Sequence, residues 1–304
     1  MASPTGTSDA PFGRMLTAMV TPFTADGSVD VDGVQRLAAY LVDEQGNDGL
    51  VVSGTTGESP TTGDAEKETI LRAVLEAVGD RATVVAGAGT NDTRHSVELA
   101  RAAERAGAHG LLLVTPYYNR PPQEGLYRHF TTVADATGLP VMLYDIPARA
   151  GVPIATETLL RLAAHPRIVA VKDAKGDLFA GSQVMASSDL VYYSGDDALN
   201  LPWLSVGAAG VVSVVGHVVG SELASMINLY RAGDVEGARS VHRRLLPVVT
   251  GIMTRTQGVI MAKAALALKG RPAGPVRAPL VDATAEQVAL LREELVAGGV
   301  KLAD

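Results

Sequence analysis

The sequence contains no cysteine. Disulfides, thiolate catalysis and cysteine-ligated metals are therefore excluded together. It has no apolar run of membrane length, so no spanning helix is expected. A basic excess is missing as well: the net charge is −7 and the lysines and arginines are scattered, which argues against a nucleic-acid partner. Gly-x-Ser-x-Gly and Walker-type loops are absent. Gly87-Ala88-Gly89 has Asp92 where a dinucleotide fingerprint needs its third glycine. The six histidines are dispersed without metal-ligand spacing, so no metal is expected. Residues Met1–Phe12 are rich in Ser, Thr, Pro and Gly, with neither a basic start nor an apolar core. They read as a frayed tail rather than a signal peptide, and a cytoplasmic location is the default.

What is present is a regular alternation. Short apolar runs, read as buried strands, are each followed by a segment with helical spacing of its apolar residues. The runs are Leu16–Val20, Gly49–Val52, Thr83–Ala86, Leu111–Val114, Val141–Tyr144, Ile168–Lys172, Leu190–Tyr193 and Val211–Val214. Between them, Asp30, Asp64 and the pair Asp196 and Asp197 stand where helix caps are needed. A weak internal repeat supports the count. Gly46-Asn47-Asp48-Gly49, Gly107-Ala108-His109-Gly110 and Gly207-Ala208-Ala209-Gly210 each stop a helix on glycine and open a strand on a second glycine.

Eight strands alternating strictly with helices imply a closed parallel barrel, an α/β fold of the (β/α)8 TIM type. An open doubly wound sheet is the competing architecture. After Val215 the pattern is helical alone, with Asp234 opening one helix and a Thr284/Gln287 capping box opening the last. The expected domains are a flexible tail over 1–13, a barrel over 14–220 and a helical extension over 221–304.

In such barrels chemistry gathers at the C-terminal ends of strands. Those ends carry Gly54-Thr55-Thr56-Gly57-Glu58, Thr115-Pro116-Tyr117-Tyr118-Asn119, Tyr144-Asp145-Ile146-Pro147-Ala148-Arg149, Lys172 and Ser194-Gly195-Asp196-Asp197. Of six lysines only Lys172 closes an apolar strand run, and Lys175 is the one nearby rival. A lysine desolvated there is freed of its proton and can attack a carbonyl carbon; the plain alternative is a solvated strand-end lysine. Thr55 and Thr56 fit either ordinary turn chemistry or an anion-binding turn. Tyr144 fits a packing role or a proton shuttle. Tyr117 and Tyr118 fit packing, at an interface among other places. Arg149 fits a solvated charge or a fork for a carboxylate.

Together these motifs resemble the pyruvate-dependent class I aldolase and lyase family. The resemblance runs nearly end to end outside the tail, through Gly54–Ser59, Thr115–Asn119, Tyr144–Pro147 and Val171–Asp173. Val171–Lys175 and Tyr193–Asn200 add a likeness to actinobacterial versions. It implies that Lys172 forms an imine with pyruvate, whose enamine adds to L-aspartate 4-semialdehyde, as in the branch that feeds diaminopimelate and lysine synthesis. Tyr144, Thr55 and Tyr118 would relay protons, with Tyr118 supplied by a neighbouring subunit. Thr56 would help hold the pyruvate carboxylate, Arg149 that of the semialdehyde, and backbone groups of Gly195 and Val212 would line the pocket. A homotetramer built from two dimers is implied as well. Sister lyases acting on sialic acid or 2-keto-3-deoxy sugar acids share the lysine and tyrosine. A barrel that binds a metabolite without turnover is the competitor from another class. Two departures stand out. Ala150 replaces the usual Ser or Thr. Asp64, Lys67 and His95 stand where lysine-inhibited members carry histidines and a glutamate, so free lysine is expected to inhibit weakly or not at all.

Overall fold

The computed structural model describes residues 9–303. Eight parallel strands close into a barrel in chain order: β1 (Met15–Ala18), β2 (Gly49–Val52), β3 (Thr83–Gly87), β4 (Gly110–Val114), β5 (Val141–Asp145), β6 (Ile168–Asp173), β7 (Val191–Ser194) and β8 (Gly210–Ser213). Closure is direct, with Met15, Leu16 and Thr17 of β1 pairing with Val211, Val212 and Ser213 of β8. This is the expected (β/α)8 barrel, and an open sheet is ruled out.

The outer helices are α1 (Val31–Ala39), α2 (Asp64–Val78), α3 (Thr93–Ala106), α4 (Gln123–Asp135), α5 (Pro147–Ala150), α6 (Thr156–Leu162), α7 (Leu178–Ser187), α8 (Asn200–Ser205) and α9 (Gly216–Arg231). They are followed by α10 (Val235–Met253), α11 (Gly258–Leu268) and α12 (Ala285–Ala297). No single helix among the described residues is long and apolar enough to cross a membrane.

The period-2 alternation of the strands sorts their side chains into two cores. Leu16, Val51, Val85, Leu112, Met142, Ala170 and Val212 fill the barrel interior. Their neighbours Leu50, Val84, Leu111, Leu143 and Val171 face the helices instead. Each helix answers with one apolar stripe, such as Leu99, Ala100 and Ala103 of α3. A fully buried leucine in this layer, such as Leu37, contributes roughly 1.5–3 kcal/mol.

The repeated glycine pairs now have a cause. Gly46, Gly107 and Gly207 adopt φ of 66°, 93° and 110°, the left-handed stop that a helix C-terminus favours. The second glycine is a matter of space. A Cβ on Gly110 would lie 2.4 Å from the Phe12 ring, and one on Gly210 would lie 2.0 Å from the Arg14 carbonyl oxygen. The N-terminal segment crosses the barrel floor at these strand starts.

That crossing corrects the expected tail. Residues 1–8 lie outside the described residues, but 9–13 are not free. Ala10 and Phe12 are buried in the barrel interior, and the Phe12 N–H donates to the Tyr193 hydroxyl at 3.3 Å. A large apolar ring in a polar stretch closes the floor of the barrel, which composition alone conceals.

Three further expectations change. The boundary placed between 220 and 221 falls inside α9, which follows β8, packs on β1 and kinks at Val219. Asp64 is the first residue of α2 rather than its cap; Gly63 caps it, its N–H donating to the Glu66 carboxylate at 2.8 Å. Asp196 does cap the helical turn after β7, accepting from the Ala198 N–H, whereas Asp197 turns inward. Asp30, Asp234 and the Thr284/Gln287 box cap their helices as expected.

Candidate active site

Tyr144 and Lys172 are register partners on β5 and β6. Lys172 lies two residues beyond the interior residue Ala170, so the strand period turns both side chains inward at the C-terminal mouth. The Lys172 Nζ sits 4.1 Å from the centroid of the Tyr144 ring. Both residues are 4% exposed. Burial lowers the Lys172 ammonium to about 8; the Asp197 carboxylate opposes this, and Arg149 adds to it. Burial pushes the Tyr144 phenol up to about 12, with the Arg149 charge and the nearby Thr55 hydroxyl pulling the other way. No carboxylate forms an ion pair with Lys172 among the described residues.

The rival lysine is spoken for. Asp145 and Asp173, the next residues on the same two strands, point outward toward the helices. The Lys175 Nζ lies 3.5 Å from Asp145 Oδ2, outside the barrel interior. Asp173 accepts the N–H groups of Lys175 and Gly176 at 2.9 and 2.8 Å, which shapes the turn directly after Lys172. Burial raises the Asp145 carboxyl to about 6 despite the nearby lysine charge.

Two adjoining cavities open above the barrel and share Thr55, Tyr144 and Arg149. One of them also holds Thr56, Lys172 and Gly195. The Thr55–Thr56 turn is tight, with the N–H groups of Gly57 and Ser59 both donating to the Gly54 carbonyl. Gly195 lies against the lysine stem: a Cβ there would sit 2.9 Å from Lys172 Cγ and 3.0 Å from the Asp173 carbonyl oxygen. Its own N–H is engaged, donating to that Asp173 carbonyl at 2.7 Å, so its carbonyl is the group left for a ligand. Val212 lies in the barrel interior, while Val214 supplies the β8 side of the cavity wall. Tyr118 stands apart from the others, 91% exposed with φ of 72°, while Tyr117 lines the cavity.

The structure adds contacts around this cavity that the sequence does not show. Asp197 is buried and accepts from Ser213 Oγ, Asn200 Nδ2 and the N–H groups of Val214 and Val215, at 2.5–3.0 Å. It pins the end of β8 and is the anionic influence on Lys172. Gln257, ahead of α11, accepts from Arg149 Nη2 at 2.5 Å and so fixes the guanidinium over the cavity. Met253 and Val259 complete the wall from the same helical region. No sequence signal ties Met253, Gln257 and Val259 to a barrel whose last strand ends at Ser213, forty or more positions earlier. The doubled Asp196-Asp197 is the one legible hint, and its second member reads there as a cap rather than as a buried acceptor. Among the described residues no group of three or more His, Cys, Asp or Glu side chains could hold a metal.

The dihydrodipicolinate synthetase family profile matches residues 11–297. The chain is 69% identical over 300 residues to 4-hydroxy-tetrahydrodipicolinate synthase 2 of Streptomyces coelicolor, covering 99% of this chain and 100% of that one. It is 70% identical over 290 residues to the 4-hydroxy-tetrahydrodipicolinate synthase of Acidothermus cellulolyticus, covering 95% and 94%. Among solved structures, the enzyme of Cyanidioschyzon merolae with lysine bound superposes with a TM-score of 0.92 at 43% identity, covering 95% of this chain and 99% of that one. This chain therefore belongs to the dihydrodipicolinate synthetase family.

Proposed function

We infer that this chain carries out the 4-hydroxy-tetrahydrodipicolinate synthase reaction, joining pyruvate to L-aspartate 4-semialdehyde with loss of water. That makes it a lyase in the route to diaminopimelate and lysine, acting in the cytoplasm. One observation carries the chemistry: an unpaired, buried lysine amine beside a buried phenol in a cavity at the barrel mouth.

In this reading the neutral Lys172 amine attacks the keto carbon of pyruvate. The carbinolamine then loses water, and Tyr144 with Thr55 carries the protons that these steps move. The Thr55–Thr56 turn receives the pyruvate carboxylate through hydroxyls and backbone N–H groups. Loss of a methyl proton gives an enamine, which attacks the aldehyde carbon of the semialdehyde. The substrate's own amine then displaces Lys172 as the ring closes, returning the lysine free. Arg149, held by Gln257, takes the second substrate's carboxylate as a fork. The Gly195 carbonyl and the β8 wall near Val212 bound the pocket. No cofactor is required, because the imine itself is the electron sink.

Tyr118 completes the relay from a second copy of the chain. Its strained, exposed position supports a side chain that finds its contacts on a neighbour, and the assembly in this reading is a tetramer built from two dimers. Borohydride reduction in the presence of pyruvate tests the core of the reading. A stable adduct on the Lys172 peptide, lost in Lys172→Ala, is the expected result. No adduct, or an adduct on Lys175, overturns it.

A further inference from the structure

Lys172 is not the only buried lysine. Lys263 of α11 is 3% exposed, and its Nζ lies 2.7 Å from Glu58 Oε1, whose side chain is 1% exposed. The same ammonium donates to the Pro275 carbonyl at 2.7 Å and stands 4.3 Å from the Phe23 ring centroid. The other carboxylate oxygen accepts the Arg277 N–H at 2.8 Å. A closed, dry ion pair therefore joins the helical region after the barrel to the turn after β2.

Where Glu58 sits makes this more than a structural tie. It closes the Gly54–Glu58 turn, three residues beyond Thr55 and two beyond Thr56, and lines the cavity of Lys172. Its backbone has φ of 57° and ψ of 40°, a left-handed conformation that a non-glycine residue keeps only when its surroundings enforce it. The surroundings here are its carboxylate, fixed by Lys263 and Arg277, and its carbonyl, which accepts the Thr61 N–H and hydroxyl. Lys263 stands one helical turn after Val259, itself in the cavity wall, so a single face of α11 meets both the cavity and Glu58.

We propose that Lys263 and Glu58 are a positioning pair: the ion pair sets the orientation of the Thr55–Thr56 turn and thereby the affinity for the keto-acid carboxylate. A buried pair of this kind is weak evidence for net stability, because desolvating both charges offsets much of their attraction. Specifying one geometry for the turn is the use that fits its location. The inference rests on the reading that this turn takes pyruvate, which adduct formation by the unaltered enzyme tests separately.

The experiment compares Lys263→Met, the double variant Lys263→Met/Glu58→Gln, and Glu58→Asp, by melting temperature and by steady-state kinetics of the full-length enzyme. Lys263→Met leaves a lone buried carboxylate and loses thermal stability. The double variant buries no net charge and regains most of that loss. Its KM for pyruvate nevertheless stays raised about tenfold, as expected for a misoriented binding turn, with kcat and the semialdehyde KM within about twofold. Glu58→Asp retains the charge but draws the turn toward Lys263, so it raises the pyruvate KM with little change in melting temperature. The proposal is overturned if the double variant recovers its pyruvate KM along with its stability. It is equally overturned if Glu58→Asp keeps the unaltered pyruvate KM, a result that stands even where the other variants fail to fold.

Discussion

Lys172 and Tyr144 face each other in register across β6 and β5, with the ammonium nitrogen 4.1 Å from the ring centroid and no carboxylate among the described residues paired with it. Burial without a counter-ion is what separates this lysine from Lys175 and Lys263, both of which have carboxylate partners. A partner would hold the proton in place. Its absence, together with desolvation, makes the free amine available near neutral pH.

The first prediction concerns pH. With Lys172 titrating at about 8, kcat/KM for pyruvate should rise about tenfold per unit below that value and level off above it. The same burial costs stability, and the sign is definite. The native lysine titrates at about 8 and the unfolded one near 10.5, so between these values the unfolded chain binds more protons and stability rises with pH. Below 8 both states are charged and the native state carries the full cost, about 3 kcal/mol for this gap. Lys172→Met should therefore be inactive yet more stable at pH 7 by up to about 3 kcal/mol, an advantage that shrinks as the pH climbs toward 10.5. Denaturant titration at several pH values measures it. Equal stability of the two proteins would show that the lysine is better solvated than its surroundings indicate.

A second prediction turns on Gly195. Alanine there would place its Cβ 2.9 Å from Lys172 Cγ, 3.1 Å from Lys172 Cε and 3.0 Å from a backbone oxygen that cannot give way. The lysine stem has to swing. Displacing a nucleophile by about 1 Å costs on the order of 10²-fold in rate, so kcat/KM should fall by roughly that factor. The melting temperature should fall modestly as well, because Lys172 Cγ belongs to the inner part of a buried side chain and the Asp173 carbonyl is backbone. Stopped-flow imine formation and a thermal melt together decide it; a fast, unstable variant would mean that the backbone moved instead.

The barrel was legible because it is written locally. Gly49–Val52 occupies the expected residues and β5 begins at the expected Val141, since an apolar run needs no distant partner to be recognised. The strand-end residues were legible in the same measure. Lys172, Tyr144, Thr55, Thr56, Arg149 and Gly195 converge on one cavity. What stayed hidden depends on contacts across the chain. Phe12 closes the barrel floor from within a polar segment, Asp197 folds back onto Val214, and Gln257 and Lys263 reach the mouth from helices over 100 positions beyond their partners Arg149 and Glu58. Nothing in the spacing of a sequence encodes such meetings.

The last prediction concerns feedback by free lysine. Asp64, Lys67 and Glu98 line a groove between α2 and α3 beside the Gly54–Glu58 turn. His95 Nε2 is paired with Asp64 at 2.9 Å, and the Lys67 ammonium donates to the Thr62 carbonyl. An incoming lysine ammonium would meet a fixed positive charge at 67, and of the groove's carboxylates Asp64 is already engaged by His95. Both effects oppose binding, the first by direct repulsion and the second by removing an acceptor. Turnover should therefore persist when sub-millimolar lysine is added, with weak inhibition or none. Lys67→His combined with His95→Glu removes the charge and supplies a free carboxylate, and should render the enzyme sensitive. Inhibition curves for both proteins read the outcome directly: complete inhibition of the unaltered enzyme at sub-millimolar lysine would mean that Lys67 swings aside and leaves Asp64 to receive the ligand.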